Sequence, residues 1–547
     1  MKNLDGRTIA IGTLLSQDFF FHVPEYQRPF SWKTDHFDDL IDDVITATRG
    51  QEYFLGTMVL HYRKERGHND VVDGQQRLTS LLILFACLRD FVKDDNFKKG
   101  LQDKILQRKN VVDGIPEKVR LEVKDRKLFG EIVVEEGGTT KSLKKSELPE
   151  PEWRYVNAVN VFRSKLAKLS EKEIQELITF LSQKCVVICL ATETFDDAFR
   201  LFTIVNDRGK QLRRIDVLKA LNIAPDVIAS DTVRNRVAQE WEDLEKGLGE
   251  STFESIFHLI RLILLKDKPQ GDLLKEFENR IFLKKTVSKG GPFFDLVFEY
   301  SKLYTAIFIE RDIIPTEAPE HNRYRSLIHI MNAEFKASEW RACLLYFASR
   351  FGSKSFYEFC LGMEKVFLAQ WVKAMRKDER YADYSKILAL IESAKKPDDV
   401  LGGLSYDSDA IMQAAVVNDL YSVGFGKYFL LRLELVTAEH DALHEFDAKS
   451  VEHVLPRNPE AEGYWADNHD LTKIDKYVNT IGNLVLLSKS KNSSARNFDF
   501  DKKKEKYLKD RVSDYPRSIQ VLSYEDWDRK TIKQRTVEAQ KIILQDP

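Results

Sequence analysis

The stretch "VVDGQQRLTSLLILFACL", Val71 to Leu88, joins two patterns. A short β-branched run meets the polar pentad Asp73-Gly74-Gln75-Gln76-Arg77, and an apolar-periodic segment follows. Leu78, Leu81, Leu82 and Phe85 fall at i, i+3, i+4 and i+7, one face of a helix. The pentad therefore sits at a helix N-terminus just after a strand. Unsatisfied N–H groups and the positive dipole end make such a place attractive to anions. Gly74 permits close backbone approach. Arg77 brings a planar, bidentate donor suited to phosphate. Gln75 and Gln76 offer neutral donors and acceptors, and Asp73 can cap the helix or help hold a metal–phosphate complex. A capped helix with one local ion pair would explain a lone glycine–arginine turn. Here "YQRPFSW" (Tyr26 to Trp32) and "FTIVNDRGKQLRRIDVLKA" (Phe202 to Ala220) repeat the theme of amide and guanidinium, the second with a glycine as well. Three such clusters are more than turns require.

Outward from this motif the chain divides by composition. At 547 residues it is too long for one core and suggests several domains. Residues 1–225 mix strand-like runs, among them "YFLGTMVLHYR" and "CVVICLATE", with helices. Within them, 95–150 is expected as charged surface structure with a loop at Gly137-Gly138. Residues 226–440 read as almost wholly helical, with apolar residues at three- and four-residue spacing in "SIFHLIRLILLKD" and "EWRACLLYFASRF". Residues 441–547 change again: a short strand, a polar loop, a second strand and a basic helical tail.

With 43% hydrophobic and 31% charged residues the chain reads as globular rather than disordered. A net charge of −2 argues against a chain basic throughout, though a local patch can still meet phosphates. Five cysteines without a CxxC pair make a zinc framework unlikely and suggest reduced thiols in cytoplasm. No secretory signal or apolar run of membrane-spanning length is seen, so no membrane partner is expected.

"VPEYQRPFSW", "FLGTMVL", "VVDGQQRLTSL" and "FTIVNDRGKQLRRIDVLKA", in this order, resemble the N-terminal domain of GmrSD-type restriction endonucleases and the related phosphorothioation-sensing SspE proteins. The resemblance covers roughly the first 225 residues. It implies a ParB–sulfiredoxin-like α+β fold that binds and hydrolyses a nucleoside triphosphate, with GTP, UTP, CTP and ATP all open. Asp73, Gly74, Gln75, Gln76 and Arg77 match the motif. Gln27, Arg28, Asn206 and Asp216 match by position, without a role assigned to each.

"SVEHVLPRN" and "IGNLVLLSKSKNSSARNF" form a second constellation. Glu452-His453 ends a short strand, Pro456 follows, Asn483 opens the next apolar run, and Asn492 lies nine residues beyond it. A neutral histidine can take a proton from water. A divalent ion can polarise a phosphate and stabilise the leaving oxygen. Mg²⁺ prefers oxygen ligands, which Glu452 and Asn492 could supply. The spacing resembles the ββα-metal HNH nucleases, in particular the C-terminal domain of GmrSD proteins. The resemblance implies His453 as general base, Glu452 as a metal-side acid, Asn483 as the brace of the loop carrying the histidine, Asn492 as the last metal-site residue, and Mg²⁺ or Mn²⁺ as cofactor. His440, His444 and His469 are expected at the surface. Between Lys489 and Arg517 stand ten lysines and arginines against five acidic residues, a net of +5. Lys491, Arg496, Lys502, Lys503 and Lys504 are read there as phosphate contacts, with a solvated helix face as the plainer alternative.

The expected architecture is thus multidomain and mainly α with α+β parts: a nucleotide-binding domain (1–225), a helical linker or bundle (226–440) and an HNH nuclease domain (441–547). The expected function is a nucleotide-regulated, metal-dependent endonuclease acting in defence on foreign, modified double-stranded DNA, as a cytoplasmic protein, with a homo-oligomer left open. A nucleotide-gated DNA-binding regulator without cleavage is the rival. In a third reading, the N-terminal pocket reads modified DNA and takes no nucleotide.

Overall fold

The computed structural model describes residues 5–547 except 17, 25–26, 28, 64–66, 113, 124, 142–147, 149, 194–196, 199–200, 202–212, 225, 447–448, 489–496 and 509–514. The chain divides into two compact units, Met1–Gln239 and Glu240–Pro547.

The first unit is built on a six-stranded mixed sheet. Its strands are β1 (Asp5–Ala10), β2 (Phe20–His22), β3 (Tyr53–Tyr62), β4 (His68–Asp73), β5 (Leu121–Glu122) and β6 (Cys185–Thr192), in the order β1-β6-β3-β4-β2-β5. The central pairs are β6–β3, parallel with Leu60 opposite Ala191, and β3–β4, antiparallel with His61 opposite Asp70. β-Branched and aromatic residues fill these strands, as a half-buried pleated surface favours. Helices α1 (Thr34–Ala47), α2 (Gln75–Phe91), α3 (Glu150–Leu166), α4 (Glu171–Gln183) and α5 (Arg214–Ile223) are among its described helices.

Helix α2 corrects one expectation. It does not show a single apolar face. Thr79, Ser80, Ile83, Leu84, Ala86 and Cys87 are buried along with Leu78, Leu81, Leu82 and Phe85. The helix Asp95–Ile105, α3, α4 and the turn Gly130–Val134 all pack on it, so no side faces water. A helix apolar all round is what a central position demands. A second correction follows from it. The segment 95–150, expected as surface, sends Leu101, Ile105, Phe129, Ile132 and Val133 into the core around α2.

The second unit begins as packed helices. Among them are α6 (Glu250–Leu265), α7 (Gly291–Tyr304), α8 (Trp340–Phe351), α9 (Phe356–Val372) and α10 (Gly426–Thr437). Trp241, Phe253, Phe257, Phe277, Phe293 and Phe294 form an aromatic cluster with mostly tilted and edge-on pairs, the arrangement ring quadrupoles favour. Farther along, β7 (Lys449–His453) and β8 (Leu484–Ser488) pair antiparallel, with His453 opposite Leu484. Helices α11 (Phe500–Leu508) and α12 (Arg529–Ile542) follow. Val454, Leu455, Trp465, Val485, Phe500 and Trp527 are among the buried residues of the core under this hairpin. Among the described residues no helix is long and apolar enough to cross a membrane.

Candidate functional sites

In the first unit the DGQQR pentad turns the chain from β4 into α2. Gly74 stands at φ +92°, and a Cβ there would lie 2.8 Å from the Met58 side chain. Only glycine meets both conditions without strain. The glutamines answer why amides are needed. Gln76 Oε1 accepts from the N–H groups of Ser31 (2.7 Å) and Trp32 (3.2 Å), and its Nε2 donates to the Pro29 carbonyl (3.3 Å). Gln27 reaches the other way, its Nε2 donating to the carbonyls of Val71 (3.1 Å) and Val72 (2.8 Å). Two amide side chains thus stitch the proline-rich segment to the strand–helix junction. Gln75 is buried in the first turn of α2.

Arg77 lies against Gly56, where a Cβ would fall 2.8 Å from Nη2, and donates from Nη1 to the Thr57 carbonyl (3.0 Å). Burial pulls its pKa down, opposed by Asp73 and Tyr53. Burial pushes the Asp73 carboxyl up, opposed by the Gly74 backbone and Arg77. Acid and guanidinium stabilise each other's charge in a poorly solvated corner. Asp216 is engaged locally, accepting from Arg213 N (3.2 Å), Nε (3.3 Å) and Nη2 (2.8 Å) in the first turn of α5. Arg28 and Asn206 lie outside the described residues.

In the second unit β7 delivers Glu452 and His453 to one end of the hairpin. Asn483, fully buried, holds that end. Its Oδ1 accepts from Leu455 N (2.8 Å) and Trp527 Nε1 (2.9 Å), and its Nδ2 donates to the carbonyls of Leu455 (2.9 Å) and Val478 (2.7 Å). Every hydrogen-bonding position of the amide is filled or shared. Leu455, two residues past the histidine, is clasped through both its N–H and its carbonyl.

His453 is 9% exposed, and its Nε2 lies 2.8 Å from Asn479 Oδ1. A carbonyl oxygen only accepts, so Nε2 carries the proton and Nδ1 keeps its lone pair. Burial pulls the imidazole pKa down to about 4; the Asn479 bond opposes this, and Arg457 and Lys503 reinforce it. The ring is therefore neutral near pH 7, as a base requires. Asn479 was not singled out from the sequence. Its position, in a polar loop well before the second strand, gives no local sign of the contact.

Glu452 is 6% exposed. Its Oε1 accepts from Lys503 Nζ (2.7 Å) and Tyr507 Oη (3.0 Å). Lys503 also donates to the His453 carbonyl (2.6 Å). Burial pushes the carboxyl up and the ammonium down, each opposed by its partner. This corrects the reading of Lys502, Lys503 and Lys504 as one phosphate-facing run. They lie on α11, where successive side chains point about 100° apart. Lys502 is exposed, its ammonium 4.3 Å from the Phe498 ring centre. Lys504 turns to the Tyr524 carbonyl (3.2 Å). Lys503 points inward and is 1% exposed. Lys491, Arg496 and Asn492 lie outside the described residues. His469 also departs from expectation. It is buried, bonded to the Trp527 carbonyl (2.7 Å) and the Tyr477 hydroxyl (3.2 Å), and serves the core of this segment.

The described residues do not by themselves compose a divalent-metal site. One oxygen of Glu452 already faces an ammonium, which a metal dication would repel. Among the described residues no group of three or more His, Cys, Asp or Glu is placed to hold a metal.

Three regions of the chain match known families. Residues 11–223 match the N-terminal domain of the GmrSD restriction endonuclease, and residues 406–542 match the C-terminal domain of GmrSD restriction endonucleases. Residues 266–413 match a family of unknown function, DUF7834. No curated protein matches the chain.

Proposed function

Because the chain belongs to the GmrSD-type restriction endonucleases, we propose that it is a nucleotide-regulated endonuclease of the type IV restriction class, whose cleavage centre is His453 and whose regulatory centre is the DGQQR corner. DNA cleavage as a class of activity comes with the family. The finer assignment rests on one observation above all: a buried, neutral imidazole whose Nε2 is fixed by Asn479 Oδ1 at 2.8 Å, on a strand end clasped by Asn483. In this reading Nδ1 takes the proton of the attacking water. Asn479 sets the tautomer, Asn483 sets the height of the strand end, and the Lys503–Glu452 pair holds the backbone carbonyl of the histidine itself.

At the other centre, the polar corner around Arg77, with the N-terminus of a 17-residue helix that has no side-chain cap, suits the phosphates of a nucleoside triphosphate. Modified DNA as substrate, a nucleotide switch and dependence on Mg²⁺ or Mn²⁺ belong to this proposal. The deciding experiment cleaves matched modified and unmodified DNA, with each metal or with chelator, and with and without each of the four nucleotides. Cleavage indifferent to all nucleotides would remove the regulatory half. DNA binding with no cleavage under any of these conditions would favour the DNA-binding regulator.

Two variants test the parts. Asn492→Ala is expected to raise the metal concentration needed for the maximal rate more than it weakens DNA binding, since an oxygen-liking ion would lose one protein ligand. A superimposable metal titration would assign Asn492 a structural role. Arg77→Ala is expected to cost about tenfold to a hundredfold in nucleotide affinity, the worth of a charge-assisted hydrogen bond of roughly 1.5–3 kcal/mol. Calorimetry on the folded variant reads this directly, and wild-type affinity would move the phosphate site away from DGQQR.

A further inference from the structure

The surroundings of His453 are not completed by the hairpin and α11 alone. Residues 415–425, which connect the helix Ser408–Ala414 to α10, return to the same place. Leu420 is fully buried, and its N–H donates to the carbonyl of Asn479 at 2.9 Å. The residue whose side chain holds the histidine tautomer therefore also anchors this connection through its backbone. The next residue, Tyr421, is left over the imidazole, with ring centroids 4.6 Å apart at 54°, yet it remains 44% exposed. The exposed Arg457, just past Pro456, brings its guanidinium carbon 5.5 Å from the Tyr421 ring centre. Asp419, the nearest acidic residue of the connection in sequence, accepts from the Ser422 N–H (3.2 Å).

The Tyr421 ring is seated on the imidazole and still leaves nearly half of its surface open to a partner. A guanidinium held against an aromatic ring at the rim offers a phosphate a rigid fork. The ring gives a flat apolar surface for a sugar or base. Together these are the two halves of a nucleic-acid contact, with Tyr421 against the His453 ring and Arg457 against Tyr421.

We propose that Tyr421 and Arg457 are substrate-positioning residues: a shelf at the mouth of the His453 site that seats the DNA strand, with Arg457 on a backbone phosphate and Tyr421 against the adjoining sugar or base. The proposal rests on the reading of His453 as the general base. It also makes the connection 415–425 a part of the active site, so that half of the shelf comes from a segment preceding the hairpin.

The test uses the full chain. Binding of a short fluorescein-labelled duplex is measured by anisotropy against salt in a His453→Ala background, for Arg457→Gln, Tyr421→Leu and Tyr421→Phe. Plasmid cleavage by the same three substitutions in the His453 protein gives kcat and KM. Arg457→Gln is expected to flatten the slope of log affinity against log salt by about 0.9, one phosphate contact. It is also expected to raise KM about tenfold, with a smaller change in kcat. Tyr421→Leu should raise KM similarly, and Tyr421→Phe should restore it because the ring remains. A purely structural role would instead lower the melting temperature and leave the salt slope unchanged. Arg457 is exposed, so its variant carries the test even if Tyr421→Leu does not fold. An unchanged salt slope and KM for Arg457→Gln would overturn the shelf. If His453→Ala alone cleaves like the wild type, the base assignment fails, and the binding slopes still report separately on the shelf.

Discussion

Replacing His453 with alanine is expected to lower DNA cleavage by about 10²–10⁴-fold, the usual contribution of a positioned general base, while nucleotide hydrolysis stays at the wild-type rate. The imidazole keeps a lone pair ready at neutral pH, because burial keeps it unprotonated and Asn479 Oδ1 fixes the proton on Nε2. Alanine removes that acceptor and leaves Asn479 Oδ1 without its partner, a loss of about 1 kcal/mol of stability. The expected result is therefore a folded, DNA-binding, non-cutting protein. The checks are a plasmid time course, phosphate release from nucleotide, and a melting curve. Cleavage within about threefold of the wild type would place the base elsewhere.

Lys503→Met is expected to destabilise the second unit by about 3–5 kcal/mol, the range seen when one partner of a buried ion pair is removed. The ammonium satisfies both Glu452 Oε1 and the His453 carbonyl from a position 1% exposed to solvent. Methionine fills the same volume but leaves a desolvated carboxylate without its counter-charge, held by the Tyr507 hydroxyl and the His453 backbone N–H. Adding Glu452→Gln removes the orphaned charge, so the double variant should recover much of the loss. Urea denaturation of the wild type, both single variants and the double variant measures the coupling. Additive losses would mean that Lys503 and Glu452 do not stabilise each other. Lys503 variants should leave the salt dependence of DNA binding unchanged, because this lysine does not reach the surface.

Much of this was legible in the chain, and what was not has a common cause. The strands at 53–62, 68–73 and 185–192 announce themselves through β-branched and aromatic composition, and the DGQQR turn through its glycine and the periodic run after it. Periodicity misled at α2, because a helix buried on every side carries no informative polar face. The basic run misled at α11, because a count of charges ignores the angle between neighbouring side chains. Asn479, Tyr507 and Tyr421 went unread for a third reason. Each meets the site across a long stretch of sequence, 26 residues from His453 to Asn479 and 55 from Glu452 to Tyr507. No local pattern encodes a contact of that kind. Asn483 and His453 were legible because both fall at strand ends and in the spacing that resembles the HNH nucleases.

The double clasp of Leu455 by Asn483 turns the chain between them into a handle. Asn483 fastens the chain just past the histidine to the start of the second strand, and Asn479 within the loop holds the imidazole, so only the exposed part of the loop is free to change length. Residues 460–462 lie at its exposed part. Doubling a flexible loop costs only about 0.6 kcal/mol of closure entropy. A tag, a dye-labelling sequence or a small recognition module spliced there would leave the Asn483 clasp and the Asn479 contact in place, so the loop can grow outward while the hairpin end stays where the two asparagines keep it.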